Sequence, residues 1–175
     1  MTKKIAQLGL FLALALILAY IESLIPFSFG IPGIKLGLPN LIVVLLLFGE
    51  DIEKSNTGWK VALLINILRI VLSGFLFSNL YTILYALSGA AFSFAAMVIS
   101  TRFRCFSMIG ISVLGGVFHN IGQIIVAMAV VETVYVGYYI PFLIISGTLT
   151  GAVLGIAAME LMPYLVRLFR GNSAY

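Results

Sequence analysis

Met108-Ile-Gly-Ile-Ser-Val-Leu-Gly-Gly-Val-Phe-His-Asn-Ile-Gly-Gln-Ile-Ile-Val-Ala-Met-Ala-Val-Val131 contains no Asp, Glu, Lys or Arg. A helix needs about 20 predominantly apolar residues to cross the hydrocarbon core of a bilayer, and this stretch is long enough. Its apolar residues run continuously. A membrane β-strand would need only about 9–11 residues and would alternate apolar with polar positions. The segment therefore reads as a membrane-spanning α-helix.

Working outward, the whole chain shares this character. Of 175 residues, 62% are hydrophobic and only 9% charged, and the mean hydropathy is +1.19. Soluble domains carry about 45–50% apolar and about 25% charged residues. With 10 Lys+Arg and 6 Asp+Glu, the chain cannot cover a water-facing surface. A soluble enzyme, a DNA-binding domain and a disordered tail are excluded. The basic pI near 9.3 does not point to nucleic acid, because the cations sit between apolar runs, where they set topology. The single Cys105 excludes a disulfide framework or a cysteine-based metal cluster.

The expected fold is all-α: one integral membrane domain over residues 1–175, with spans at about 5–25, 38–48, 60–77, 80–99, 108–131 and 139–165. The second is short and follows the Gly/Pro-rich stretch 28–39. With the N-terminus inside, Lys3, Lys4, Lys54, Lys60, Arg102, Arg104, Arg167 and Arg170 face the cytoplasm. Lys35 alone lies outside, and Arg69 falls within the third span. The positive-inside rule thus favours six spans with both ends in the cytoplasm, in a bacterial inner membrane. The first apolar run, about 20 residues, exceeds the 7–15 of a signal-peptide core and is expected to be a retained helix.

Helices in lipid associate through close backbone approach and polar contacts. Gly147, Gly151 and Gly155 form a small-residue stripe expected to pack the sixth span within the bundle. In the first span, Ala15 and Ala19, and also Gly9 and Ala13, mark faces for internal packing or for docking a partner subunit.

An ionisable group at mid-bilayer costs about 2.5–3.5 kcal/mol on insertion scales and needs a partner or a purpose. Arg69 lies in the third span one turn after Asn66. In the fifth, His119 and Gln123 are four apart and Asn120 and Gln123 three apart, spacings that share a helix face. Glu22 lies in the outer third of the first span, Asn40 opens the second, where it would cap the helix or meet a ligand, and Lys35 precedes it. By helix counting, Glu22, Lys35, Asn40, Arg69, Asn79, Asn120 and Gln123 fall in the outer half or the outer loop. A cavity open to the outside would use them, with His119, to bind a small molecule. Glu22 and Arg69 would equally make a structural pair.

No GxxxxGK[ST] loop, HExxH or CxxC is present, and Asp51 is the sole Asp. The chain is expected to have no metal, cofactor or catalytic centre of its own.

Several segments together carry a resemblance: Tyr20-Ile-Glu-Ser-Leu-Ile-Pro26, Pro32-Gly-Ile-Lys-Leu-Gly-Leu-Pro-Asn40, Leu68-Arg-Ile-Val-Leu-Ser-Gly74, Ser88-Gly-Ala-Ala-Phe-Ser93, Ser112-Val-Leu-Gly-Gly-Val-Phe-His-Asn-Ile-Gly-Gln123 and Tyr139-Ile-Pro-Phe-Leu143. Over residues 9–158 the chain resembles the Gx transporter family, also labelled heptaprenyl diphosphate synthase component I. That family is related to the S components of energy-coupling-factor (ECF) transporters. Pro39 and Gly116 depart from it, standing where alanine is more usual.

The resemblance implies one of two roles. As an S-component-like bundle, the chain would bind a small molecule from outside and dock through Ala15 and Ala19 onto an ECF coupling protein served by two ATPases. Alternatively, it would be a non-catalytic membrane partner of a prenyl synthase, since the DDxxD motifs of such synthases are missing. An isoprenoid or flavin-type ligand is implied in either case.

Overall fold

The computed structural model describes residues 2–25, 36–49, 58–103 and 106–170. The order is α1 Thr2–Leu24, α2 Asn40–Phe48, α3 Gly58–Phe77, α4 Leu80–Arg102, α5 Met108–Val130, a short 3-10 helix Val134–Tyr139, and α6 Ile140–Arg170. All the described regular structure is helical, as continuous apolar runs require: in lipid the backbone must satisfy its own hydrogen bonds, and a helix does so within one segment.

Helix boundaries follow local chemistry. Asn79 opens α4, its side chain accepting from Thr82 N at 2.9 Å and Thr82 Oγ1 at 3.0 Å. Ser107 opens α5 by accepting from Gly110 N at 3.2 Å. These side chains satisfy helix donors that no intrahelical carbonyl reaches. The end of α5 closes in a Schellman arrangement, Thr133 N donating to Met128 O at 3.2 Å. Glu132 occupies its left-handed position at φ 53, where glycine is usual. Pro163 lies inside α6, where its ring nitrogen cannot donate to the carbonyl one turn back.

Five of the helices (α1, α3, α4, α5 and α6) are long and apolar enough to cross a membrane. The expected second span is a short helix at the expected place. At nine residues, α2 is only about 13.5 Å long, against a hydrocarbon core of about 30 Å. Instead it is buried inside the bundle, with Ile42, Val43, Val44, Leu45 and Leu47 all enclosed. Its uniformly apolar sequence fits that place, since a helix apolar on every side has no face for water. It contacts α1, α3, α5 and α6.

Helix directions follow from neighbouring side chains. Tyr20 and Phe77 pack with tilted rings 5.2 Å apart between centroids, so the C-terminal ends of α1 and α3 lie together and the two run parallel. A methyl group on Gly74 would strike Ile83, placing α3 antiparallel to α4. Gly89 meets His119 and Gln123, and Gly115 meets Met97, so α4 and α5 are antiparallel. The start of α1 and the end of α6 therefore lie at the same end of the bundle.

The seam between α5 and α6 is the tightest. The backbones of Gly116 and Gly147 touch directly. A methyl on Gly151 would come within 2.7 Å of Ser112 O and Val113 Cα, and one on Gly155 within 2.7 Å of Ile109 Cα. The stripe Gly147, Gly151 and Gly155 thus belongs to the interior. Of the two alternatives for Ala15, burial favours internal packing: it is 1% exposed within the core cluster that contains α2. Ala19 is half-buried, whereas Gly9 and Ala13 lie on the exposed face of the same helix.

Candidate functional site

Two groups of polar side chains lie within the helical bundle. The first joins α1, the approach to α2, and α3. Glu22, in the last turn of α1, accepts a hydrogen bond through Oε1 from Gly37 N. Gly37 adopts φ 69, a left-handed conformation that disfavours any side chain. Its carbonyl in turn accepts from Asn40 N at 2.8 Å, fixing the first turn of α2. Arg69 on α3 donates from Nη2 to Oδ1 of Asn66, which is buried one turn below it on the same helix. Arg69 Nε is buried with no hydrogen-bond partner among the described residues.

The second group lies on α5. His119 Nε2 and Gln123 Nε2 are 3.1 Å apart, and both side chains lie over Gly89 of α4. Ser88 Oγ donates to Gly122 O at 3.0 Å across the same seam. Asn120 turns the other way: its Nδ2 donates to Leu143 O of α6 at 2.8 Å. His119 and Gln123 thus come together as their spacing predicts, whereas Asn120, expected on the same face, is tied to a different neighbour.

Asn40 makes no side-chain capping bond. Pro39 is the residue that precedes the helix, and the capping alternative is corrected. The Asn40 amide instead lies between helices, with Nδ2 3.3 Å from where a methyl on Gly115 would sit. Lys35 lies outside the described residues.

Three groups escaped sequence reasoning as site features. Gly37 contributes a backbone N–H, which no side-chain pattern reveals. Ser93 Oγ and Ser112 Oγ are buried without partners among the described residues. A serine within a helix ordinarily bonds a carbonyl one turn back, so its presence alone carries little signal. No group of three or more His, Cys, Asp or Glu side chains comes together among the described residues.

A family model described as heptaprenyl diphosphate synthase component I matches residues 11–161. The chain belongs to this family. The match covers most of α1 and all but the end of α6, so both polar groups fall within it. The family's description makes component I a part of a synthase, which leaves open whether the part is catalytic or accessory. No curated protein and no solved structure gives a significant match.

Proposed function

We propose that this protein is the non-catalytic membrane component of a polyprenyl diphosphate synthase system, working with a separate catalytic subunit. The family membership carries this reading. It is supported by composition, because Asp51 is the sole Asp in the chain. Magnesium held between carboxylates and substrate phosphates needs more acidic groups than this. The Arg69 guanidinium, with its fork of donors, suits a phosphate-bearing ligand. His119, Gln123 and Asn40 would read the rest of it.

The membrane would be the bacterial inner membrane, with both chain ends cytoplasmic and α2 completing the return between α1 and α3. Exposed Lys60, Arg102 and Arg167 cluster at the end of the bundle that this orientation places inside.

A second reading, an S-component-like transport protein served by an ECF coupling protein and two ATPases, is favoured by one observation. Glu22 accepts from the Gly37 N–H at the approach to α2, at the end of the bundle that this orientation places outside, an arrangement suited to binding from the outer side. Affinity purification from native membranes in mild detergent, followed by native mass spectrometry, separates the two. Recovery of a soluble prenyl synthase subunit, with altered product length on adding this protein, is the expected result. Recovery of a coupling protein with two ATPases would replace the first reading by the second.

A further inference from the structure

The seam between α4 and α5 carries a line of polar side chains with no formal charge among them. Gly89, Ser93 and Met97 follow one another at four-residue steps on α4, a spacing that shares a helix face. The first and last of these meet α5. His119 Cε1 and Gln123 Cγ lie 2.9 Å from where a methyl on Gly89 would sit, and Met97 Sδ lies 2.7 Å from where one on Gly115 would sit. Gly115 and His119 are themselves one turn apart on α5, so Ser93 stands opposite that turn. The Asn40 amide reaches the same seam from the start of α2, with Nδ2 3.3 Å from the Gly115 position that Met97 also meets. Three helices thus deliver Asn40, Ser93, His119 and Gln123 to the stretch between Gly115 and Gln123, about 12 Å of helix.

Ser93 decides what the seam is for. It is 2% exposed, and its hydroxyl has no hydrogen-bond partner among the described residues. A helical serine ordinarily bonds a carbonyl one turn back, as Ser88 does to Tyr85 O at 2.8 Å on the same helix. A buried hydroxyl without a partner costs free energy, and such a group marks a place where a ligand atom can bond. Ser112, also buried and unpartnered, belongs elsewhere: its Cβ lies 3.0 Å from where a methyl on Gly155 of α6 would sit.

The charge class of the ligand follows from the helices that form the seam. Neither α2 nor α5 contains an Asp, Glu, Lys or Arg, and α4 has only Arg102 in its last turn. Of the two nitrogens 3.1 Å apart, the Gln123 amide can only donate, so His119 Nε2 accepts and the imidazole is neutral. A phosphate or carboxylate buried here would lack a counter-charge, at a cost that hydrogen bonds do not repay. An uncharged oxygen matches hydroxyl and amide partners. Phe94 and Met97, beside Ser93 on α4, belong to the apolar core around α2 and suit a hydrocarbon body.

We propose that the Asn40–Ser93–His119–Gln123 seam binds the uncharged hydroxyl or carbonyl oxygen of a membrane-dissolved apolar molecule, with Ser93 hydrogen-bonded to that oxygen. This rests on the ligand-contacting role given above to Asn40, His119 and Gln123. It adds Ser93 and the charge class of the group they meet, and it is independent of Arg69.

The test is binding of tritiated farnesol to the full-length protein in a neutral detergent, read by scintillation proximity. Competitors are farnesol, farnesene (an isoprenoid hydrocarbon without oxygen), farnesyl diphosphate and dioleoylglycerol. Farnesol should compete at least tenfold better than farnesene or farnesyl diphosphate. Ser93→Ala should weaken farnesol binding about fivefold, the net worth of one hydrogen bond. Without ligand it should melt no lower than wild type, because the hydroxyl removed has no partner among the described residues. A lower melting temperature with unchanged farnesol binding would make Ser93 structural and overturn the proposal. Equal competition by farnesene would show that no oxygen is read, and also overturns it. Equal competition by farnesyl diphosphate, still weakened by Asn40→Ala or Gln123→Ala, overturns the uncharged class and leaves the ligand role of those residues standing. Binding of neither probe that responds to those two variants overturns the ligand role as well. Equal competition by dioleoylglycerol supports the uncharged-oxygen site and makes a glyceride its source. Should Ser93→Ala fail to fold, the wild-type competition series still decides the charge class. Ser93→Cys, close in size and a weak donor, then decides the part of Ser93: weakened binding supports it and unchanged binding overturns it.

Discussion

At the scale of single residues, burial and bonding separate side chains that look alike in sequence. Asn120 and Gln123 lie three apart on one helix, but only Asn120 ties α5 to α6 through Leu143 O. Asn120→Ala should lower stability by about 0.6 kcal/mol, and by no more than about 1.7, the range for interhelical bonds in membranes. Denaturant titration in mixed micelles measures this, and ligand affinity should move little. Arg69→Ala should instead reduce ligand affinity. An unchanged Kd with lowered stability would return Arg69 and Glu22 to a purely structural pair. Glu132, held at φ 53 where a Cβ is unfavourable, gives a third case. Glu132→Gly should raise stability by up to about 1 kcal/mol, because the left-handed position costs glycine least. A lowered melting temperature would show that the Glu132 side chain makes a compensating contact.

At the scale of helices, small residues mean different things on different faces. Gly151 presses on the backbone of α5, so Gly151→Ala should cost about 1–3 kcal/mol through forced separation of the two helices. Gly9 has no atom within 4 Å of where a methyl would sit. Gly9→Leu should therefore leave thermal stability within about 0.5 kcal/mol of wild type, while Ala15→Leu should disrupt the fold itself. A thermal-shift series on purified protein covers all three. The presence of these helices was legible because continuous apolar length is a one-dimensional property. Residues 80–99 and 108–131 fall close to α4 and α5 for that reason. Which face of α1 turns inward was not legible, because Ala15 and Ala13 are chemically the same and differ only in what packs against them. The His119–Gln123 pairing followed from helical spacing, whereas the Glu22–Gly37 bond spans fifteen positions and involves a backbone group, so no periodicity announces it.

At the scale of the molecule, charge and aromatic character divide the two ends. Exposed Lys60, Arg102 and Arg167 mark one end, where Lys60 Nζ lies 5.6 Å from the Trp59 ring centroid. The other carries the Tyr20–Phe77 pair, exposed Tyr81, and the stacked Tyr135 and Tyr138. Aromatic belts and cytoplasmic cations are how a membrane protein fixes its depth and direction. In a Cys105→Ser background, Val134→Cys should react with a membrane-impermeant maleimide in intact cells, and Ser107→Cys only after permeabilisation. The reverse pattern would invert the orientation. The short α2 bears on how the chain is built. Nine apolar residues offer an insertion machinery too little length to be taken as a span, yet these nine end up enclosed by helices made both before and after them. The place of α2 is thus set by assembly rather than by its own hydropathy. Until α3, α5 and α6 have been synthesised, the centre of this protein has nowhere to go.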